Sequence, residues 1–159
     1  MPQVPLSHSL IDSPLGQLRL SHRRGKLYGV DFLTDTEVGQ QEMAAPGSIG
    51  RDFMTYFSDP CHYFTTPVEV LGSAFQQRLW QALRQIPPGE TRTYGELAQR
   101  LGSSPRAVGN ACRANPCPII IPCHRVVAKQ GLGGYAGATA GPRLQIKRWL
   151  LRHEGVNID

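Results

Sequence analysis

Residues 116–127, PCPIIIPCHRVV, form the stretch around which the second half of this chain is organised. Each of its three prolines fixes its own φ angle and pushes the preceding residue toward an extended conformation. The prolines therefore stiffen the apolar run at 119–121, which we expect to be mostly buried. A rigid, buried segment of this kind delivers Cys123 and His124 to one place, where a thiol and an imidazole can act together.

The composition indicates a compact protein with no segment suited to a membrane. The chain has 159 residues, of which 40% are hydrophobic, and this suits one domain or two small lobes with a real core. It contains no run of about 18 apolar residues, and its N-terminus, MPQVPLSHSLIDSP, lacks the basic stretch and apolar core of a signal peptide. We therefore expect a cytoplasmic protein whose four cysteines are reduced thiols.

Charge is divided unevenly along the chain. Residues 72–159 contain 12 Lys and Arg against 4 Asp and Glu, whereas residues 1–71 contain 5 against 8. A basic C-terminal part favours a polyanionic partner such as nucleic acid. Many soluble proteins share a pI near 9.3 without such a partner, so charge alone leaves the partner open. We place a domain boundary between residues 71 and 72.

The N-terminal part, residues 1–71, has the pattern of a small antiparallel sheet followed by one helix. Strands are predicted over residues 6–11, 18–22 and 27–33, with turn residues between them. Aromatic and aliphatic residues at helical spacing predict a helix over 48–58. The histidines and the cysteine of this part lack paired ligand spacing, so no metal is expected here. We interpret this part as a scaffold.

Helix starts in the C-terminal part are marked by capping residues. SAFQ at 73–76 and TYGE at 93–96 are capping boxes, in which the first and fourth residues satisfy each other's backbone. Ser104 is a suitable cap for a third helix, with Pro105 at its first position. A last helix is predicted over residues 142–153.

The second and third of these helices have the spacing of a helix-turn-helix. Ala98, Gly102 and Val108 stand where that motif needs a small residue, a turn glycine and an apolar residue. Arg106 and Arg113 on the second helix are able to meet phosphates. The same pattern also fits a plain helical hairpin that packs on the core, and the spacing alone leaves both interpretations open.

A reactive Cys123 needs a lowered pKa, because a cysteine attacks as the thiolate and its ordinary pKa is about 8.5. His124 and Arg125 are adjacent in sequence, and Glu154 is able to orient a histidine by accepting its second ring proton. Two other interpretations remain on these residues alone. In the first, Cys123 is buried and inert. In the second, a metal is held by Cys112, Cys117, Cys123 and His124, although a C-x-x-C pair is missing.

The segment resembles a known active site. Asn115-Pro116 followed by IPCHR at 121–125 is similar to the active-site segment of the O6-alkylguanine-DNA alkyltransferases, the methylated-DNA–protein-cysteine methyltransferase family. The resemblance covers residues 72–155 and, less distinctly, the first lobe. It implies an α+β fold: a ribonuclease H-like lobe with a small antiparallel sheet and a helix, then a mostly helical lobe with a winged-helix-like helix-turn-helix.

The family resemblance also implies the function. Such a protein is a monomeric repair enzyme that binds duplex DNA through the minor groove and flips an O6-alkylguanine out of the stack. It transfers the alkyl group irreversibly to its own cysteine, once per molecule and without a cofactor or metal. Residues 1–71 are then the scaffold lobe with its connector, and residues 72–159 the DNA-binding and alkyl-acceptor lobe.

The resemblance assigns catalytic roles residue by residue. Cys123 corresponds to the acceptor thiolate, and His124 to a water-linked base that Glu154 orients. Asn115 corresponds to the asparagine that braces the turn beside the acceptor. Tyr94 corresponds to the tyrosine that crowds the 3′ phosphate of the DNA and donates a hydrogen bond to the leaving guanine.

The remaining assignments concern the guanine and the DNA. Tyr135 and the backbone around Ala136 correspond to the group that contacts O6, and the carbonyls of Cys123 and Val126 to acceptors for the guanine amino group. Arg106 corresponds to the side chain that fills the gap left by the flipped base. The expected DNA contacts are Arg106, Ala107, Arg113 and Tyr94.

Two departures from the family pattern stand out. Thirteen residues separate Tyr135 from Trp149, more than the family usually has, so we expect a long loop over 136–148 beside the pocket. The first lobe lacks the cysteine pair with which some relatives hold zinc. Alternative functions are an alkyltransferase-like module that binds damage without transfer, against which Cys123 argues, and a Cys-His hydrolase, for which Arg106 has no purpose.

Overall fold

The structure, a computed structural model, describes residues 5–33, 47–135 and 140–158. The chain divides into two compact units, Met1–Val70 and Leu71–Asp159. The first unit contains a small antiparallel sheet and a helix, and the second is mostly helical. The expected combination of helices with a small antiparallel sheet is therefore confirmed.

The described residues of the first unit form a three-stranded antiparallel meander and one helix. Its elements are β1 (Ser7–Ser13), β2 (Gly16–Arg23), β3 (Lys26–Phe32) and α1 (Gly47–Ser58). The strands alternate apolar and polar residues, so one face of the sheet is buried. Its core includes Leu18, Leu20 and Leu27 from the sheet with Phe53 and Tyr56 from α1, all at most 1% exposed.

A buried carboxylate fastens helix α1 to the chain that follows it. Oδ2 of Asp52 accepts hydrogen bonds from the backbone N–H groups of Thr65 and Thr66 and from the Thr66 hydroxyl, at 3.0, 2.9 and 2.6 Å. Its Oδ1 lies 2.5 Å from Nε2 of His62. Since both oxygens of the carboxylate accept hydrogen bonds, its burial is compensated. Asp52 and His62 therefore have a structural explanation within the first unit.

In the part of the second unit that the structure describes, there are four α-helices, one 3₁₀ helix and one short parallel strand pair. Its elements are α2 (Ala74–Arg84), β4 (Arg92–Thr93), α3 (Tyr94–Leu101), α4 (Pro105–Arg113), a 3₁₀ helix (Cys123–Arg125), β5 (Val126–Val127) and α5 (Pro142–His153). The pairing of β4 with β5 places the start of α3 beside the segment that carries Cys123. Sequence analysis did not predict this pair, because two-residue strands have no detectable alternation.

The predicted caps of the second unit are present. Ser73 and Thr93 each begin a helix with a complete capping box, and the Ser104 hydroxyl accepts from the backbone N–H of Ala107. Gly102 ends α3 in the left-handed conformation at φ 66°. Trp80 of α2 donates its ring N–H to the carbonyl oxygen of Ala111 in α4, at 2.9 Å. Gly102 and Ser104 thus define the short turn between α3 and α4, and the Trp80 bond holds α4 against α2.

The predicted last helix over residues 142–153 is confirmed as α5, so the expected long loop over 136–148 is wrong in its second half. Pro142 begins this helix, at a position where its fixed φ angle suits a helix and its missing N–H is not needed. Inward-facing side chains of α5, including Lys147 and Leu150, then hold it on the core of the unit. Ala136 lies outside the described residues. None of the described helices is long and apolar enough to span a membrane.

Alanine substitutions at two glycines of α3 and α4 should change the free energy of unfolding in opposite directions. A Cβ on Gly102 meets no atom within 4 Å, but its φ of +66° strains an L-residue, so Gly102→Ala should destabilise the protein by about 1 kcal/mol. Gly109 lies inside α4 with ordinary helical φ, and a Cβ there would sit 3.9 Å from the Tyr94 ring. Gly109→Ala should therefore stabilise by about 0.5–1 kcal/mol.

Urea unfolding of the DNA-free protein measures both changes. Shifts of the same sign in the two variants would contradict the assigned backbone conformations.

Candidate active site

The segment before Cys123 is held in a strained turn by Asn115. Nδ2 of Asn115 donates to the carbonyl oxygen of Ile121 at 2.8 Å, and its Oδ1 accepts from the backbone N–H of Cys117 at 2.9 Å. Between them, Ile119 has a φ of +80°, which is unfavourable for a β-branched residue. Its side chain is buried, so packing and the Asn115 bridge together keep the turn in this conformation. Asn115 is thus placed to fix the path of the chain into Cys123.

Cys123 opens the 3₁₀ helix and is 7% exposed. Burial raises the pKa of its thiol, whereas hydrogen bonding with Asn115, the positive charge of Lys147 and hydrogen bonding with Tyr135 act to lower the pKa. The thiolate of a buried cysteine is unfavourable without such partners. The site therefore gathers three side chains from distant parts of the unit around one sulfur atom.

His124 and Arg125 both bind the carboxylate of Glu154. Nε2 of His124 lies 2.9 Å from Oε2 of Glu154. Arg125 donates from Nε to Oε1 at 2.9 Å and from Nη2 to Oε2 at 2.7 Å, and its Nη1 donates to the carbonyl oxygen of Ile86 at 2.6 Å. All three side chains are at most 9% exposed. The carboxylate thus joins the 3₁₀ helix to the C-terminus of α5.

The ionisation of this cluster sets the tautomer of His124. Burial lowers the pKa of His124 below its ordinary value, so the ring is neutral near pH 7. Burial opposes ionisation of Glu154, but His124 and the bidentate Arg125 hold the pKa of the carboxyl below its usual range. A neutral ring facing a carboxylate donates its Nε2 proton to it, which leaves Nδ1 as the basic nitrogen. Nδ1 is buried and makes no hydrogen bond to the described residues.

Lys147 of α5 is fully buried beside the same segment, and sequence analysis did not single it out. Its Nζ donates to the carbonyl oxygens of Val126 and Gly134 at 2.6 and 2.9 Å. Burial lowers the pKa of Lys147 to about 8, which the neighbouring Cys123 and Cys112 partly oppose. The Val126 carbonyl, expected as an acceptor for guanine, therefore already accepts one hydrogen bond. Its second lone pair remains for another donor.

Tyr94 lies at the first position of α3 and packs against the loop that follows β5. Its hydroxyl donates to the carbonyl oxygen of Gly134 at 3.4 Å, and its ring centroid is 5.9 Å from Nζ of Lys147. Gly133 has a φ of +76°, and a Cβ there would lie 3.0 Å from the Tyr94 ring. Burial raises the pKa of Tyr94 to about 12, so its hydroxyl remains a proton donor.

Besides Tyr94 on α3, the residues expected to contact DNA lie on α4. Arg106 and Arg113 are exposed and Ala107 is partly exposed, whereas Val108 between them is buried in the unit. Tyr135 is buried, at 4% exposure, and hydrogen bonding with its side chain acts to lower the pKa of Cys123. Ala136 lies among the undescribed residues, so its expected contact with O6 stays a prediction. Within the described ranges, no three His, Cys, Asp or Glu side chains are grouped to hold a metal ion.

Comparisons with known proteins identify the family. Residues 74–156 match the family model described as the 6-O-methylguanine DNA methyltransferase DNA-binding domain. A methylated-DNA–protein-cysteine methyltransferase of Sulfolobus acidocaldarius is 33% identical over 152 residues, covering 96% of this chain and 95% of that protein. The chain belongs to this family, which confirms the resemblance seen in residues 115–125.

Solved structures agree with this assignment. The crystal structure of Mycobacterium tuberculosis O6-methylguanine methyltransferase superposes with a TM-score of 0.79 at 36% identity, covering 94% of this chain and 92% of that one. A crystal structure of M. tuberculosis OGT in complex with DNA gives a TM-score of 0.78 at 36% identity, with 92% of each chain covered.

Replacing Arg125 tests how much the buried ion pair contributes to stability. Arg125→Met leaves the Glu154 carboxylate buried without its cation, and breaking a buried pair in this way costs about 3–5 kcal/mol. The control is Arg19→Met, which removes an exposed pair with Asp31 and should cost less than about 1 kcal/mol. Urea unfolding midpoints measure both. Equal losses in the two variants would contradict a special role for the Arg125–Glu154 pair.

Proposed function

We propose that this protein repairs DNA by direct reversal: it takes the alkyl group of an O6-alkylguanine onto Cys123, once per molecule. Family membership supports the reaction class. The observation that assigns the reaction to Cys123 is the surroundings of its buried thiol. Asn115, Lys147 and Tyr135 each act to lower the pKa of that thiol. Cys112 belongs to α4, and burial raises the pKa of its thiol well above the ordinary value, so it stays a thiol.

The proposed reaction is an in-line displacement at the alkyl carbon. The thiol proton of Cys123 passes to Nδ1 of His124 through a bridging water, and Glu154 stabilises the imidazolium that forms. The sulfur then forms a bond to the alkyl carbon while the bond from that carbon to O6 breaks. The electron pair of that bond leaves with guanine. A thioether is chemically stable, so the protein reacts once.

Guanine becomes a better leaving group when its developing negative charge is hydrogen-bonded. Tyr94 suits this role, because its raised pKa keeps the hydroxyl protonated at neutral pH. The Val126 carbonyl is proposed to accept from the guanine amino group with the lone pair that Lys147 does not use. Tyr135 and the neighbouring Ala136 are proposed to border O6, with Asn115 holding the turn before the acceptor.

We propose that α3 and α4 form a winged-helix-like helix-turn-helix that enters the minor groove of duplex DNA. The short turn between α3 and α4 and the exposed arginines of α4 support this role, as does the similarity to a relative crystallised with DNA. Extruding a base costs a few kcal/mol of stacking, which an inserted side chain partly offsets. Arg106 in the first turn of α4 is the proposed insertion residue, with Ala107 next to it and Arg113 at the other end of the helix as further DNA contacts, and residues 72–159 are the proposed DNA-binding lobe.

The first unit is proposed as a ribonuclease H-like scaffold, since its polar clusters are explained by contacts within the unit. The monomeric state and the cytoplasmic location expected from the sequence stay predictions.

Mass spectrometry after one incubation tests the reaction and its acceptor together. Excess duplex containing O6-methylguanine should add a single methyl group to the intact protein, and peptide mapping should place it on Cys123. Cys123→Ser should still bind the duplex without gaining mass, and Cys117→Ser is the matched control that should still react. Repeated turnover, or a methyl group on Cys112 or Cys117, would overturn the assignment.

The same experiment separates the alternative functions. A damage-binding module would bind the duplex and gain no mass. A Cys-His hydrolase would neither bind the duplex nor gain mass.

Arg106→Ala tests the role in base extrusion. Repair of O6-methylguanine in duplex DNA should slow by about tenfold or more, since losing a few kcal/mol of compensation affects only a stacked base. The reaction with free O6-benzylguanine should change less than twofold, because the free base needs no extrusion. Single-turnover rates measure both. Arg51→Ala, which removes an exposed arginine of the first unit, controls for net charge. Equal losses on both substrates would place Arg106 in the pocket or in the fold instead.

A further inference from the structure

Asn110 is an exposed polar residue of α4 that the reaction above does not use. It follows Arg106 by four residues and precedes Arg113 by three, which is the spacing of neighbours on one face of a helix. Both arginines are exposed as well. The face of α4 that carries these two proposed DNA contacts therefore also presents a neutral amide between them.

The fold gives the side chain of Asn110 no structural task. Helix α4 is capped by the Ser104 hydroxyl at its start and ends at Ala114, so Asn110 lies in its interior. The backbone carbonyl oxygen of Asn110 accepts the N–H of Ala114 at 3.1 Å, and its side-chain amide makes no hydrogen bond to any residue that the structure describes. Asparagine is also a poorer helix former than alanine, so it weakens the helix at this position. The amide is therefore available to a ligand.

The two arginines leave the reading of DNA sequence to another side chain. Arginines that meet phosphates fix the position of a protein on a duplex, but phosphates carry no sequence information. Sequence is recognised by hydrogen bonds to base edges, and Asn is one of the residues that make such bonds in the minor groove. Among the residues of α4, all of which the structure describes, Asn110 alone combines a strong neutral donor with a strong acceptor.

The chemistry of the amide selects one kind of base pair. The side chain of Asn has a carbonyl oxygen that accepts and an NH₂ group that donates. In the minor groove, A·T and T·A pairs present only acceptors, N3 of adenine and O2 of thymine, whereas a G·C pair adds the N2 amino group of guanine as a donor. Only a G·C pair therefore satisfies both halves of the amide at one edge.

The distance along α4 limits which base pair the amide meets. With a rise of about 1.5 Å per residue, Asn110 lies about 6 Å from Arg106 along the helix axis. Successive base pairs are stacked about 3.4 Å apart. Since Arg106 is the proposed insertion residue at the lesion, the amide falls about one or two base pairs away from it.

We propose that the Asn110 amide recognises a G·C pair next to the lesion in the minor groove, so that repair depends on the bases that flank the O6-alkylguanine. The inference rests on the proposed function, because that function places α4 in the minor groove of duplex DNA. The contact adds no step to the chemistry at Cys123. It makes the protein selective among damaged sites that carry the same alkyl group.

Duplexes with O6-methylguanine at the centre test this selectivity. In the parent duplex, the two pairs on each side of the lesion are A·T, and each sister duplex changes one of them to G·C or C·G. A further set replaces the new guanine by inosine, which still pairs with cytosine but lacks the N2 amino group. Dissociation constants are measured with the Cys123→Ser variant, so that binding is observed without reaction. The salt concentration is held fixed, because affinity for DNA depends strongly on salt.

A G·C pair at one of the flanking positions should bind about fivefold more tightly than A·T, the lower end of what a bidentate amide contact discriminates. Inosine at that position should bind as weakly as A·T. Adding Asn110→Ala or Asn110→Leu to the same chain should reduce the ratio to about twofold or less. Asn157→Ala, which removes an exposed amide elsewhere in the unit, is the matched control and should leave the ratio unchanged.

Three results would overturn the proposal. The first is the absence of any G·C preference at the flanking positions while Asn110 is present. The second is a preference that remains in both Asn110 variants or with inosine, because the shape of the DNA would then set it. The third is an equal loss of the preference in Asn157→Ala.

Thermal unfolding checks the variants. Ala and Leu are better helix formers than Asn, so Asn110→Ala and Asn110→Leu should melt at the wild-type temperature or above it. The inosine duplexes need no change at Asn110, so they decide the proposal if either variant unfolds. Single-turnover repair by the protein with Cys123 intact should show the same G·C preference. A protein that accepts no methyl group would refute the proposed function, whereas the binding ratios would still decide the role of Asn110.

Discussion

The Glu154 carboxylate is the interaction on which the rest of the site depends. It binds the guanidinium of Arg125 in bidentate fashion and the imidazole of His124 through one shared oxygen. A buried carboxylate of this kind is tolerable only because a full positive charge lies against it. The same contact forces one tautomer on His124, so the proposed proton transfer uses the ion pair that also stabilises the fold. Stability and reactivity are therefore coupled at this residue.

The chain around Cys123 is fixed from three sides by groups that are remote in sequence. Asn115 holds the strained turn before it, Lys147 binds the carbonyl of Val126 after it, and the Ile86 carbonyl anchors Arg125 beside it. Asn115 and Lys147 contact the main chain on either side of the sulfur, and the Ile86 carbonyl holds the Arg125 side chain. The thiol can therefore remain small and reactive while its position is set by the main chain, which is the arrangement that a displacement along one line requires.

The helices and their caps could be predicted from the sequence because they depend on local patterns. The contacts around Cys123 that join distant residues could not. The capping boxes at Ser73 and Thr93 are visible because their partners lie three residues apart. The buried position of Lys147 could not be predicted. Its carbonyl partners lie 21 and 13 residues away, and a backbone carbonyl gives no signal in the sequence. Arg125 was noticed only as a neighbour of Cys123. The scarcity of acids in residues 72–159 was a usable signal that Glu154 would be its partner.

The spacing between Arg125 and Glu154 also has a consequence for synthesis of the chain on the ribosome. Glu154 follows Arg125 by 29 residues, and at roughly 5–20 residues per second it is made about 1–6 s later. Until α5 has emerged, the segment from Asn115 to Arg125 has no anion with which to bury its guanidinium. The Arg125–Glu154 pair, and with it the tautomer of His124, is therefore fixed only after α5 has emerged and docked.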